Sequence, residues 1–173
     1  MPMIGQPAPQ FTAPALVKGD FKDINLSDYK GQWVVLFFYP LDFTFVCPTE
    51  ITQFRDKLEI FKKAGAQVIG VSVDSVHSHK RWVKTDLQEL GYPLIGDITK
   101  RLSRDYGVLL EDKGFATRGT FIIDPEQKIQ YMGIHNTNVG RDADEIYRVL
   151  TACQSGELCG AGWKPGAKHV TPG

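Results

Sequence analysis

The sequence predicts an α/β fold in which helices flank a mixed central sheet, parallel in its early strands and antiparallel late. Three observations lead there. Two apolar runs of strand length, "WVVLFFY" and "AQVIGVSVD", are rich in Val and Ile and read as strands covered on both faces. Helix-period segments separate the early strands, as crossover connections require. Near the end, "GTFIIDPEQKIQYMGI" joins two strand-like runs through Asp124-Pro125-Glu126-Gln127, with Pro at the second turn position, a hairpin.

Taken in order, residues 1–20 read as an extended leading segment, with four prolines among the first fourteen residues. Trp33–Tyr39 is the first buried strand. The segment "PTEITQFRDKLEIFKKAGA" places Ile51, Phe54, Leu58 and Phe61 on one face of a helix that ends near Gly65. A strand over 66–74 follows, then a helix across "HSHKRWVKTDLQEL" stopped by Gly91 and Pro93, and a short strand in "YPLIGD". Asp97 is placed to cap a helix through Leu102. The last helix starts at Asp142, with Glu145 three residues on in a capping-box pattern. After Gln154 the tail holds five glycines and two prolines in nineteen residues and is expected to be mobile unless held. The organisation expected is one folded domain over 1–154 and a flexible tail over 155–173.

Bulk properties exclude several classes. The chain has 173 residues, and twenty basic residues balance twenty acidic ones, which leaves no electrostatic case for nucleic acid or an anionic membrane. No apolar run is long enough to span a bilayer, and the start lacks a secretory pattern, so a cytoplasmic location is expected. Three cysteines, Cys47, Cys153 and Cys159, fit neither a disulfide-stapled fold nor a zinc site. His77 and His79 read as surface residues of a helix start, and Trp33 and Trp82 as core or interface. No phosphate loop or dinucleotide fingerprint occurs, so no cofactor is expected.

Chemistry concentrates at "PLDFTFVCPTE". Proline is tolerated in the first turn of a helix, so Pro48 marks a helix start and sets Cys47 at its N-terminus, where free backbone N–H groups favour negative charge. Such positions are among those where thiolates form. Taken alone, the pattern fits a buried structural cysteine equally well. Thr44 offers a hydroxyl nearby, and Phe38, Phe43 and Phe45 are expected to wall the site.

Pro40, Thr44 and Cys47 spell P-x-x-x-T-x-x-C, which resembles the active-site signature of the peroxiredoxins. "GQPAPQF", "VIGVSVDS", "LIGD", "RDYGVL", "RGTFIIDP" and "GWKPG" resemble further segments of the typical two-cysteine group, which includes alkyl hydroperoxide reductase C, across the whole chain in order. The resemblance implies a thioredoxin-like fold with an N-terminal extension and a thiol peroxidase acting on hydrogen peroxide and organic hydroperoxides. It assigns Cys47 as the attacking thiolate, Thr44 as the hydroxyl that holds the peroxide, Pro40 as a pocket wall and Arg118 as the cation beside the sulfur. Glu50 and Arg141 become ionic partners that orient Arg118, although Glu50 is also an ordinary first-turn acid and Arg141 an ordinary surface base.

Cys153 falls on the apolar stripe of Ile146, Val149 and Leu150 and is expected to pack. Cys159, in "GELCGAGWKPG", matches the resolving cysteine, with Gly160 where the family usually has proline. The resemblance further implies a homodimer joined by Cys47–Cys159 disulfides between subunits, assembly of five dimers into a ring, and a protein dithiol reductant, thioredoxin or a dedicated reductase. "DLQELG" stands where easily inactivated members carry G-G-L-G, and no terminal Tyr-Phe follows, so disulfide formation is expected to outrun sulfinic acid. Two other readings compete: a one-cysteine peroxidase with Cys159 idle, and a holdase or redox relay.

Overall fold

The run Trp33–Phe38 forms β3 in the interior of a seven-stranded sheet, because every second side chain of an apolar strand must find cover on the same face. Val35 and Phe37, with Tyr39 just beyond, face one core; Val34, Leu36 and Phe38 face another on the far side. A computed structural model describes residues 2–172. The sheet order is β2 (Asp20–Asn25), β1 (Thr12–Val17), β5 (Leu94–Gly96), β4 (Ala66–Ser72), β3, β8 (Arg118–Ile123) and β9 (Ile129–His135). The neighbours of β3 are β4, parallel, and β8, antiparallel. β5 runs parallel to β4, and β9 closes the predicted hairpin with β8. Gln127 N–H donates to the Asp124 carbonyl at 2.8 Å across that turn. The mixed α/β sheet is as expected.

The leading segment differs from expectation. Residues 12–25 form a hairpin, β1 (Thr12–Val17) and β2 (Asp20–Asn25), which extends the sheet beyond β5. Its two-residue loop has φ of 49° at Lys18 and 83° at Gly19, the geometry of a primed turn. Pro14 is accommodated because β1 meets β5 only at Ala15 and Leu16.

The helix expected after Cys47 divides into α1 (Cys47–Asp56) and α2 (Leu58–Lys63) at Lys57, whose φ of −99° and ψ of 4° leave the helical region. Phe54 and Phe61 still reach the same core, and Phe54 stacks on Phe37 with ring centroids 4.5 Å apart. α3 (Val76–Trp82) starts on Ser75, whose hydroxyl accepts from Ser78 N–H, and runs into a π-turn over Val83–Leu87. α4 (Arg101–Asp105) is capped by Asp97, whose carboxylate accepts from Leu102 and Ser103 N–H. A two-stranded ribbon pairs β6 (Leu109–Leu110) with β7 (Phe115–Ala116). α5 (Ala143–Ser155) is capped by Asp142, but the capping box stays open: Glu145 turns instead to Arg148.

Beyond α5 the chain doubles back at Gly156, in the left-handed region at φ 66°. Trp163 is buried, its carbonyl accepts from Arg148 at 2.9 Å, and its ring stacks on His169. Val170 N–H reaches the Leu158 carbonyl at 2.8 Å. The outer ends of the two expected segments, Met1 and Gly173, lie outside the described residues.

Where β5 ends, Gly96 permits the close approach of the turn that leads into α3: a Cβ there would meet Asp74 O and Val76 N at 2.9 Å each. Backbone atoms cannot swing away as a side chain can, so Gly96→Ala should cost about 1–3 kcal/mol. Urea denaturation should show a lower midpoint with an unchanged slope.

Candidate active site

Cys47 opens α1 with Pro48 behind it, and the helix start has no side-chain cap, so its first N–H groups face the loop Pro40–Val46 that descends from β3. The sulfur is fully buried, at 0% exposure. Arg118, the first residue of β8, donates from Nη1 to the sulfur at 3.3 Å and to Glu50 Oε2 at 2.5 Å, and from Nε to the Thr137 carbonyl at 2.8 Å. These bonds fix the guanidinium plane from three directions.

Glu50 lies one turn past Cys47 and is 1% exposed. Its second oxygen is taken by Arg141, through Nε at 2.9 Å and backbone N–H at 2.8 Å, while Arg141 Nη2 meets Oε2 at 3.0 Å. Arg141 Nη1 donates to the carbonyls of Phe38 at 2.7 Å and Gly119 at 2.9 Å. Its guanidinium also lies over the Phe37 ring, 5.1 Å from the centroid. Arg141 is therefore no surface base; it is the buried strut through which Glu50 is held for Arg118. Two arginines and one glutamate, all nearly fully buried, carry a net charge of +1. That surplus positive charge is turned toward the sulfur through Arg118 Nη1.

The structure brings together Cys47, Arg118, Glu50 and Arg141. Thr44 is half-buried and donates to the Leu41 carbonyl at 2.9 Å. It lines a cleft of about 360 Å³ with Pro48, Thr52, Trp82 and Leu87. Pro40 is buried two residues past the end of β3. Cys159 is elsewhere, over the last turn of α5. Of the expected aromatic walls, Phe43 lines the Thr44 cleft, its ring centroid 5.6 Å from that of Trp82, although it is 54% exposed; Phe45 is 96% exposed. Phe38 packs on the opposite face of the sheet, against Tyr106 and Phe121, because strand alternation sends it away from Cys47.

Sequence reasoning also misplaced His79. It is fully buried, with Nδ1 2.7 Å from Asp42 Oδ2 and Nε2 3.0 Å from the Ile95 carbonyl. Two acceptors on two ring nitrogens call for an imidazolium. Burial opposes that charge, but Asp42, the Ile95 carbonyl and the more distant Asp74 outweigh it and raise the His79 pKa. Asp42 lies within the loop leading to Cys47. It also accepts from Tyr39 OH at 2.8 Å and Ser78 Oγ at 2.7 Å, while its own N–H donates to Asp74 at 2.9 Å. Tyr39 is held well above the ordinary phenol range, first by burial and then by Asp42, and stays a donor. The loop is thus clamped to α3 and to the end of β4. The signal available was Asp42 itself, an acid that the predicted loop pattern left without a partner.

Removing the shared anion should be severe. Glu50→Gln leaves two buried guanidinium groups without their carboxylate and should cost about 3–5 kcal/mol of stability by urea denaturation. The His79 clamp predicts a pH dependence. Because the folded-state pKa is raised, its contribution is complete below the free imidazole value of about 6.5 and is lost as pH rises through the folded value. The stability difference between the native chain and His79→Gln should therefore shrink as the pH of denaturation is raised from 5.5 through 9.

Comparison with known proteins agrees with this geometry. The AhpC/TSA family model matches residues 4–132. Peroxiredoxin-2 of Macaca fascicularis is 52% identical over 178 residues, covering 98% of this chain and 90% of that protein. The chloroplastic 2-Cys peroxiredoxin BAS1 of Hordeum vulgare is 50% identical over 182 residues, covering 99% and 87%. The crystal structure of reduced Plasmodium vivax 2-Cys peroxiredoxin superposes with a TM-score of 0.91 at 38% identity, covering 95% of this chain and 91% of that one. Mycobacterium tuberculosis AhpC does so at 0.85 and 41% identity, covering 94% and 98%. With the site geometry, these matches establish that the chain belongs to the AhpC/TSA family, as a two-cysteine peroxiredoxin with the thioredoxin-like fold of that group.

Proposed function

We propose that the chain reduces hydrogen peroxide and organic hydroperoxides with Cys47 as the attacking thiolate and Cys159 of a second subunit as the resolving thiol. Peroxiredoxins are thiol peroxidases, and the observation that carries the residue assignment is Arg118 Nη1 at 3.3 Å from a buried sulfur at a helix start. The Cys47 thiolate attacks one oxygen of the peroxide; the S–O bond forms as O–O breaks. The departing oxygen leaves with the bonding pair and takes up a proton, giving water or an alcohol, and Cys47 is left as sulfenic acid. Arg118 neutralises the charge that moves from sulfur to the leaving oxygen. Thr44 commits its own proton to Leu41, so its hydroxyl oxygen is free to accept the O–H of the peroxide. Pro40 closes the inner side of the pocket. Glu50 and Arg141 hold Arg118 in place and touch no reacting atom.

Resolution follows when a Cys159 thiolate attacks the sulfenic sulfur, releasing hydroxide, protonated to water, and forming a disulfide. Cys159 sits at the C-terminal end of α5, whereas Arg141 precedes its N-terminus. Thirteen helical residues at 1.5 Å each place the two about 20 Å apart. That separation favours a Cys159 from another subunit, hence a homodimer. The β9 edge, whose first residue Ile129 is taken by Gly5 and Gln6 and whose later residue Ile134 is exposed, is the strand edge that would receive a second copy. A ring of five dimers, a protein dithiol reductant and a cytoplasmic setting belong to the same proposal; three unpaired thiols suit a reducing compartment.

Without reductant, one equivalent of hydrogen peroxide should first convert the protein to a covalent dimer whose peptide map carries a Cys47–Cys159 link. Cys47→Ser should form no dimer and consume no peroxide. Cys159→Ser should consume one equivalent yet fail to turn over with a protein dithiol; sustained turnover in that variant would establish the one-cysteine reading instead.

A further inference from the structure

Cys153 has no part in the chemistry described so far, and its surroundings do not suit the purely packing role its place on the α5 stripe suggests. Ile146 and Leu150 of that stripe are buried, but Cys153 is only half-buried. The sulfur of Cys159 lies 3.5 Å from Ser155 Oγ and 3.9 Å from the Ala152 carbonyl, so it is seated on the helical turn that contains Cys153. The five residues between the two thiols include Gly156, in the left-handed region, and the chain past Cys159 begins with Gly160. Little backbone resistance opposes the swing that a disulfide's Cα spacing requires.

We propose that Cys153 is a third redox thiol, which moves the intersubunit disulfide into a Cys153–Cys159 disulfide within one chain. This rests on the Cys47–Cys159 reading above. The Cys153 thiol gives its proton to solvent, and its thiolate attacks Cys159 Sγ of the mixed disulfide. A Cys153–Cys159 bond forms, the Cys47–Cys159 bond breaks, and Cys47 of the other subunit leaves as a thiolate. One disulfide is lost and one gained, so no oxidant or reductant is consumed. The direction follows from the two sites. Cys47 leaves beside the Arg118 guanidinium, whose Nη1 stands 3.3 Å from the sulfur and meets the departing charge. Burial, and then the nearby Cys159 sulfur, raise the Cys153 thiol, which makes its thiolate scarcer but intrinsically more nucleophilic. The attack closes only a short loop, so its effective concentration is high. The outcome is a disulfide at the outer end of α5, open to a protein reductant, and a Cys47 returned to its pocket.

The test is a time course after one equivalent of hydrogen peroxide, quenched with N-ethylmaleimide and read on non-reducing gels with peptide mapping. In the native chain the Cys47–Cys159 dimer should rise and then decline as a monomer carrying a Cys153–Cys159 link accumulates. In Cys153→Ser and in Cys153→Ala, both checked for native circular dichroism, the dimer should persist and the monomeric disulfide should be lost. A native dimer that persists with no Cys153–Cys159 peptide overturns the relay and leaves the two-cysteine mechanism standing. Absence of any Cys47–Cys159 dimer in both Cys153 variants overturns the mechanism itself, and the relay with it.

Discussion

Glu50 shares one carboxylate between two guanidinium groups in a region closed to water, and the rest of the site depends on that sharing. Three buried charges are costly unless each is met by an opposite charge or a full set of hydrogen bonds. The chain meets this with Arg141, whose donors engage Glu50 and the carbonyls at the ends of β3 and β8. Arg141 thereby ties α1, the two central strands and the approach to α5 into one unit. Arg118 is left with donor capacity turned toward Cys47. The stability of the ion cluster and the placing of a cation beside the sulfur thus depend on the same carboxylate.

A second constraint acts from the opposite end of the loop. Asp42 collects donors from Tyr39, Ser78 and His79, and its own backbone N–H is held by Asp74. The segment Pro40–Val46 is therefore pinned where it leaves β3 and again where α1 begins. Such pinning serves attack on peroxide, which needs Cys47 held against Arg118. It opposes resolution, because a sulfur at 0% exposure cannot meet a thiol from another subunit without the first turn of α1 opening. The catalytic cycle must cross from one arrangement to the other. The Asp42 network, made of polar groups that water can replace, is better suited to such a crossing than an apolar clamp would be.

How much of this was legible in the sequence depended on whether the signal was local. The strands at 33–38 and 66–72 and the β8–β9 hairpin were read correctly because long apolar runs and a Pro-containing turn leave little choice. The thiol, its helix and its Thr44 spacing were visible as a motif. The β1–β2 hairpin was not, because its turn is Lys18-Gly19 within a proline-rich stretch and its strands are half exposed. His79 was read as a surface residue since its partners, Asp42 and Ile95, are remote in sequence. Phe38 was assigned to the wrong face because a run apolar at every position carries no alternation to say which side each residue covers. Arg141 could be told from a surface base only by knowing that two strand ends would present carbonyls to it.

The geometry of α5 then decides how the two halves of the chemistry relate. Its first turn abuts the ion cluster through Arg141 and Asp142, the latter reached by Gln53 of α1. Its last turn carries Cys153 and seats Cys159. A rigid rod of about 20 Å thus separates attack from resolution within one chain. If the resolving thiol had been placed at the near end of this helix, the site would have needed no partner, but a second thiol there would compete with peroxide for Arg118 and the pocket. About 20 Å of helix keeps the Cys159 seat away from the Cys47 sulfur of the same chain. The seat of Cys159 is itself ordered: its sulfur lies over the last turn of α5, and the segment beyond it is tied to that helix by Arg148, which donates to the Trp163 carbonyl at 2.9 Å.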